Sequence, residues 1–60
     1  MNRELLNVPE VAQWLGIKEM TLRIWVWRGK IPYVKIGRLV KFEPEAIQKF
    51  VEKNRINRAD

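Results

Sequence analysis

A chain of 60 residues with neither cysteine nor histidine must be held together by packing or by a partner, because disulfide staples and thiolate or imidazole metal sites are closed to it. There is room for one domain, spanning 1–60 with a core over about 5–54 and a polar tail at 55–60, since so small a domain buries only about 60% of the surface its unfolded chain exposes. Trp14, Trp25 and Trp27 suit that need, each able to bury roughly 150–250 Å². Cys nucleophiles and imidazole bases are also missing, the only side-chain hydroxyls are Thr21 and Tyr33, and no paired carboxylates share a plausible cleft. The reading is therefore a non-enzymatic one, with no cofactor and no metal. No apolar run approaches the roughly 18 residues of a membrane span. Met1-Asn2-Arg3-Glu4 leads into no apolar signal segment, so the expected location is the cytoplasm, with no membrane partner.

Glycine and proline divide the chain into short elements. Asn7 is placed to cap a first helix, with Pro9 in its first turn and Glu10 three residues beyond the cap, as in a capping box. Leu6 and Val11 occupy the two staple positions, Val8, Val11, Ala12 and Leu15 follow helical spacing, and Gly16 ends the helix. A second helix is predicted from Lys18 or Glu19 to Arg28, stopped by Gly29. Two short helices joined by Leu15-Gly16-Ile17-Lys18 fit a helix-turn-helix unit, or a plain helical hairpin with no ligand. Beyond Gly29-Lys30-Ile31-Pro32 the period changes: Val34, Ile36, Val40 and Phe42 alternate with Lys35 and Lys41 around Gly37-Arg38. This predicts a hairpin on a type II′ turn, which must lie on the helices to be stable. A third helix is predicted from Pro44, with Ile47, Phe50 and Val51 on one face.

The charge is concentrated in the middle. Of twelve Lys and Arg and seven Asp and Glu, net +5, seven bases and one acid (Glu19) lie between Lys18 and Lys41, a local +6, leaving five bases and six acids, or −1, elsewhere. A basic middle between near-neutral ends marks a surface for polyanions or a merely solvated face.

The order helix, turn, helix, hairpin, helix, with Leu6-Asn7-Val8-Pro9-Glu10-Val11-Ala12, Leu15-Gly16-Ile17, Thr21-Leu22-Arg23, Trp25, Gly29-Lys30-Ile31-Pro32, Val34-Lys35-Ile36-Gly37-Arg38 and Phe42-Glu43-Pro44-Glu45-Ala46-Ile47, resembles the excisionase-type helix-turn-helix family, relatives of the DNA-binding domain of MerR regulators. The resemblance covers about residues 5–52. It implies a mainly α winged helix-turn-helix whose second helix reads the major groove and whose hairpin wing reaches the neighbouring backbone or minor groove. Members include phage and transposon excisionases, recombination directionality factors and small transcription regulators. The chain departs from the family pattern at Lys18, where a Ser or Thr cap is usual, at Ile24 and Trp27, usually polar, and at Leu39, usually a second arginine.

At about 100° per residue, Leu22, Trp25 and Val26 share the core face of the second helix, while Met20, Ile24 and Trp27 form an outward stripe bordered by Arg23 and Arg28. An apolar strip pointing away from the core needs a use, and three stay open: thymine methyls and sugar edges in the major groove, a docking surface for a protein, or Trp27 roofed by the wing. Trp14 is expected to pack against the third helix or the N-terminal segment. Under the DNA reading the contact set is Lys18, Glu19, Met20, Thr21, Arg23, Ile24, Trp27, Arg28, Lys30, Lys35, Arg38 and Lys41. In it Lys35 and Lys41 point out of the hairpin and Arg38 sits at its tip. Glu19 would oppose a phosphate but is able to accept from cytosine N4.

Two function classes follow: sequence-specific binding of double-stranded DNA, or a protein-interaction module docking through Met20, Ile24 and Trp27. Within the first, excisionase and transcription regulator need the same fold. The sequence ends soon after the third helix, so no long dimerisation helix is expected. Candidate partners besides DNA are further copies lined up head-to-tail on repeated sites, and an integrase, recombinase or other protein.

Overall fold

A computed structural model of the chain describes residues 4–56; the part of the expected polar tail at 57–60 lies outside the described residues. The elements run α1 (Val8–Leu15), α2 (Glu19–Trp27), β1 (Val34–Ile36), β2 (Leu39–Lys41) and α3 (Pro44–Lys53). This is the helix, turn, helix, hairpin, helix order expected of a winged helix-turn-helix.

Local chemistry sets the ends of these elements. The Asn7 side chain accepts from the Glu10 amide and the Glu10 carboxylate accepts from the Asn7 amide, each at 2.9 Å, so two of the orphan donors at the start of α1 are satisfied reciprocally. α2 starts differently: its N-cap, Lys18, is extended and makes no side-chain cap. Both helices end alike. In α1 the Gly16 amide donates to the Gln13 carbonyl and the Ile17 amide to Ala12; in α2 Gly29 donates to Val26 and Lys30 to Trp25. Each pair is the double closure of a Schellman motif, and it leaves the short turns that hold α2 across α1.

The core is one cluster built from every helix and the hairpin region: Val8, Val11, Ala12, Leu22, Ile31, Phe42 and Ile47. Phe42, Leu22, Ile47 and Val11 are completely enclosed, and each such side chain contributes about 1.5–3 kcal/mol relative to exposure. Trp25 lies at the edge of this cluster rather than within it, half-buried with its ring against Phe50. Trp14 borders a shallow groove with Pro44, Gln48 and Glu52 of α3 but stays 43% exposed and outside the core cluster.

β1 and β2 are antiparallel, pairing Val34 with Lys41, Lys35 with Val40 and Ile36 with Leu39. Gly37 has φ 60°, and no non-glycine residue has positive φ among the described residues. Positive φ at the first turn position alone is the II′ condition, readily met only by glycine there. The sheet is extended at its base, where Leu6 and Phe42 exchange backbone hydrogen bonds of 2.8 Å in both directions.

This register corrects the single apolar face implied by the alternation. Directly paired residues share a face, so Lys35 lies with Val40, which packs on the core, and Lys41 lies with Val34 on the other side. The two lysines do not point the same way, and Lys41 is half-buried. A two-residue turn imposes this: with Gly37-Arg38 at the tip, residues 35 and 41 fall on opposite faces. The same rule leaves Ile36 and Leu39 as an exposed pair on the Lys41 side.

Candidate nucleic-acid interface

The interface is built on α2 because two of its flanks are occupied. Leu22 is buried, Trp25 leans toward α3 through Phe50, and Val26 leans toward the hairpin, sharing a cleft with Val40 and Lys35. The remaining side carries Met20, Ile24 and Trp27, 72%, 40% and 84% exposed. The outward stripe is therefore present as expected. The roofed reading of Trp27 is overturned: its ring borders the cleft before the wing but is left almost wholly open, while Val26 and Val40 in the same cleft pack against the core.

Cations flank the stripe on both sides. On the hairpin side Arg23 lies in the same cleft as Lys35, along with Trp27 and Tyr33. At the other flank Arg28 is the C-cap residue of α2, and Lys30 follows it through the Schellman turn. Arg23, Arg28, Lys30, Lys35 and Arg38 are all exposed. Lys18 and Glu19 stand exposed at the start of α2, while Thr21 is half-buried on the side away from the wing. Arg38 is displayed at the tip by the turn that Gly37 makes possible. Lys41 is the one charged candidate that does not join this surface, since it turns to the opposite face of the hairpin from Lys35.

Tyr33 was not among the expected site residues. Its signal is positional: it follows Pro32 at the approach to β1, and the chain there lies over the end of α2, which brings the ring beside Trp27 and Lys35. Chemically the surface offers an apolar ridge of aliphatic, thioether and indole groups between two cationic borders. Such a ridge has the chemistry to meet methyl groups and sugar edges, and its borders have the charge to neutralise phosphates.

Among the described residues no group of three acidic side chains is placed to hold a metal ion, and no helix is long and apolar enough to cross a membrane. In comparisons with known proteins, no curated protein and no solved structure matches the chain. A family model described as a helix-turn-helix domain matches residues 5–55, from the segment before α1 to beyond the end of α3. Sequence pattern, capped helix pair, hairpin and family match agree, and the chain belongs to the helix-turn-helix domain family, a family of DNA-binding domains.

Proposed function

We propose that this domain binds double-stranded DNA sequence-specifically, with α2 in the major groove and the β1–β2 wing on the adjacent backbone or minor groove. The observation that carries this reading is the exposed Met20, Ile24 and Trp27 ridge with Arg23 and Lys35 along one border and Arg28 and Lys30 along the other. Phosphate contacts position a protein on the duplex and base-edge contacts specify the sequence. The ridge meets thymine methyls and sugar edges. Arg23 and Arg28 take guanine edges or phosphates, and Lys30, Lys35 and Arg38 take phosphates. Lys18, Glu19 and Thr21 lie at the start of the helix, the part that reaches deepest into the groove in helix-turn-helix proteins, with Glu19 accepting from cytosine N4. Lys41 adds to the local potential from the far side of the wing. The biological role is that of a small excisionase or recombination directionality factor, or of a transcription regulator. Copies align head-to-tail on repeated half-sites, because a single small module has limited affinity.

Selecting bound fragments from random duplexes, with and without a recombinase, and then measuring binding across salt tests this. Five phosphate contacts, from Arg23, Arg28, Lys30, Lys35 and Arg38, give a slope of log K against log salt of about −4.5. A flat salt response, or a selection that enriches no motif, overturns the reading. The 84% exposure of Trp27 also favours a second reading, in which the ridge docks on a protein such as a recombinase. That contact is weakly salt-dependent and is lost in Trp27→Ala with DNA binding intact.

A further inference from the structure

The basic surface does not stop at α2. The connection after α2 and one flank of α3 enclose an open groove lined by Gly29, Lys30, Ile31, Pro32 and, from α3, Ala46, Lys49, Phe50, Lys53 and Asn54. Its floor is apolar and its charged lining groups are the cations Lys30, Lys49 and Lys53, each exposed. Lys49 and Lys53, four residues and about one turn apart, share the groove flank with Ala46, while Glu45 and Glu52 line the next groove, beside Trp14, whose edge Lys49 also borders.

Continuity gives the groove its occupant. Arg28 caps α2, and the next two residues, Gly29 and Lys30, already line the groove. A phosphodiester strand leaving the Arg28 border of the ridge therefore meets Lys30, Lys49 and Lys53 without crossing an acidic side chain of the groove lining. We infer that this groove is a second phosphate-binding tract, which holds the duplex backbone beyond the stretch covered by α2 and the wing. The inference rests on the proposed function and extends the contact surface to α3. These lysines touch backbone only, so they add affinity equally to every sequence.

The test is the Lys49→Gln/Lys53→Gln double variant, in which both changes are at exposed positions of α3. Its melting temperature is compared with that of the parent to establish that it folds. Both proteins are titrated across salt with a selected duplex trimmed to the α2 and wing footprint, and with the same site extended on both sides. On the extended duplex the variant loses about 2 from the magnitude of the salt slope, about one per phosphate contact. It weakens on selected and random sequence by the same factor, and on the trimmed duplex it matches the parent. An unchanged slope on the extended duplex overturns the second tract while leaving the proposed function standing. A loss confined to the selected sequence overturns it too, because backbone contacts carry no sequence information. A parent protein that binds neither duplex overturns the proposed function, and the tract with it.

Discussion

The Trp25 and Phe50 rings meet with centroids 6.3 Å apart and planes tilted by 52°, and this pair joins α2 to α3. The tilted geometry is one that aromatic quadrupoles favour, worth about 0.5–1.5 kcal/mol beyond area burial. Trp25→Ala should cost about 3 kcal/mol, the low end for a large aromatic because the ring is only half-buried. A domain this size holds only roughly 3–9 kcal/mol in all, so the variant should be largely unfolded by mild urea. A double-mutant cycle with Phe50→Ala, read by urea denaturation, should return a positive coupling energy; strict additivity would show that the rings merely sit near one another.

Trp27 is the contrasting case on the same helix. Trp27→Ala should leave stability within about 0.5 kcal/mol of the parent, as surface changes usually do, and should weaken duplex binding in an anisotropy titration. A loss of stability comparable to that of Trp25→Ala would mean that the exposed ridge contributes to the core.

The wing separates conformation from contact. At Gly37 an added Cβ would meet no other atom within 4 Å, so the cost of Gly37→Ala is one of backbone conformation alone, about 1–3 kcal/mol for a sparsely populated positive-φ region. Gly37→Val should cost more, because its branched side chain is stiffer. Arg38→Ala should leave the thermal midpoint unchanged and reduce DNA affinity. Equal DNA binding by Arg38→Ala and the parent would remove the wing tip from the interface.

The two helix starts predict opposite signs. Asn7→Ala removes the side-chain acceptor of the Glu10 amide, one of the two arms of the capping box, and should destabilise by about 1 kcal/mol. Lys18→Ser places a capping side chain where none is present and should stabilise by about 0.5–1 kcal/mol. If Lys18 also faces phosphate, the more stable variant should lose about one unit of salt slope.

These contrasts show which features are legible in one-dimensional order. Asn7, Glu10, Gly16, Gly29 and Gly37 act on bonds within a few residues of themselves, so their roles in starting, ending and turning the chain follow from sequence alone. The core positions of α1, together with Leu22 and Ile47, follow from helical period. The faces of the hairpin are not legible in this way, because alternation reports which residues of one strand share a face, whereas Lys35 and Lys41 lie on different strands and their relation depends on turn length. Tyr33 and the Lys49, Lys53 flank were invisible for a related reason. Each acquires its neighbours only when a turn folds the chain over the end of α2, and no local spacing encodes that approach.

The paired bonds between Leu6 and Phe42 tie together two backbone positions separated by α1, α2 and the hairpin. Closing a loop of that length costs about 3 kcal/mol in chain entropy by the logarithmic scaling, so neither bond survives unless the intervening helices and hairpin are in place. Deuterium should therefore reach these two amides through one shared opening, in which the N-terminal segment and the base of the wing come apart together. A protein assembled in this way presents α2 and its wing in one fixed relation.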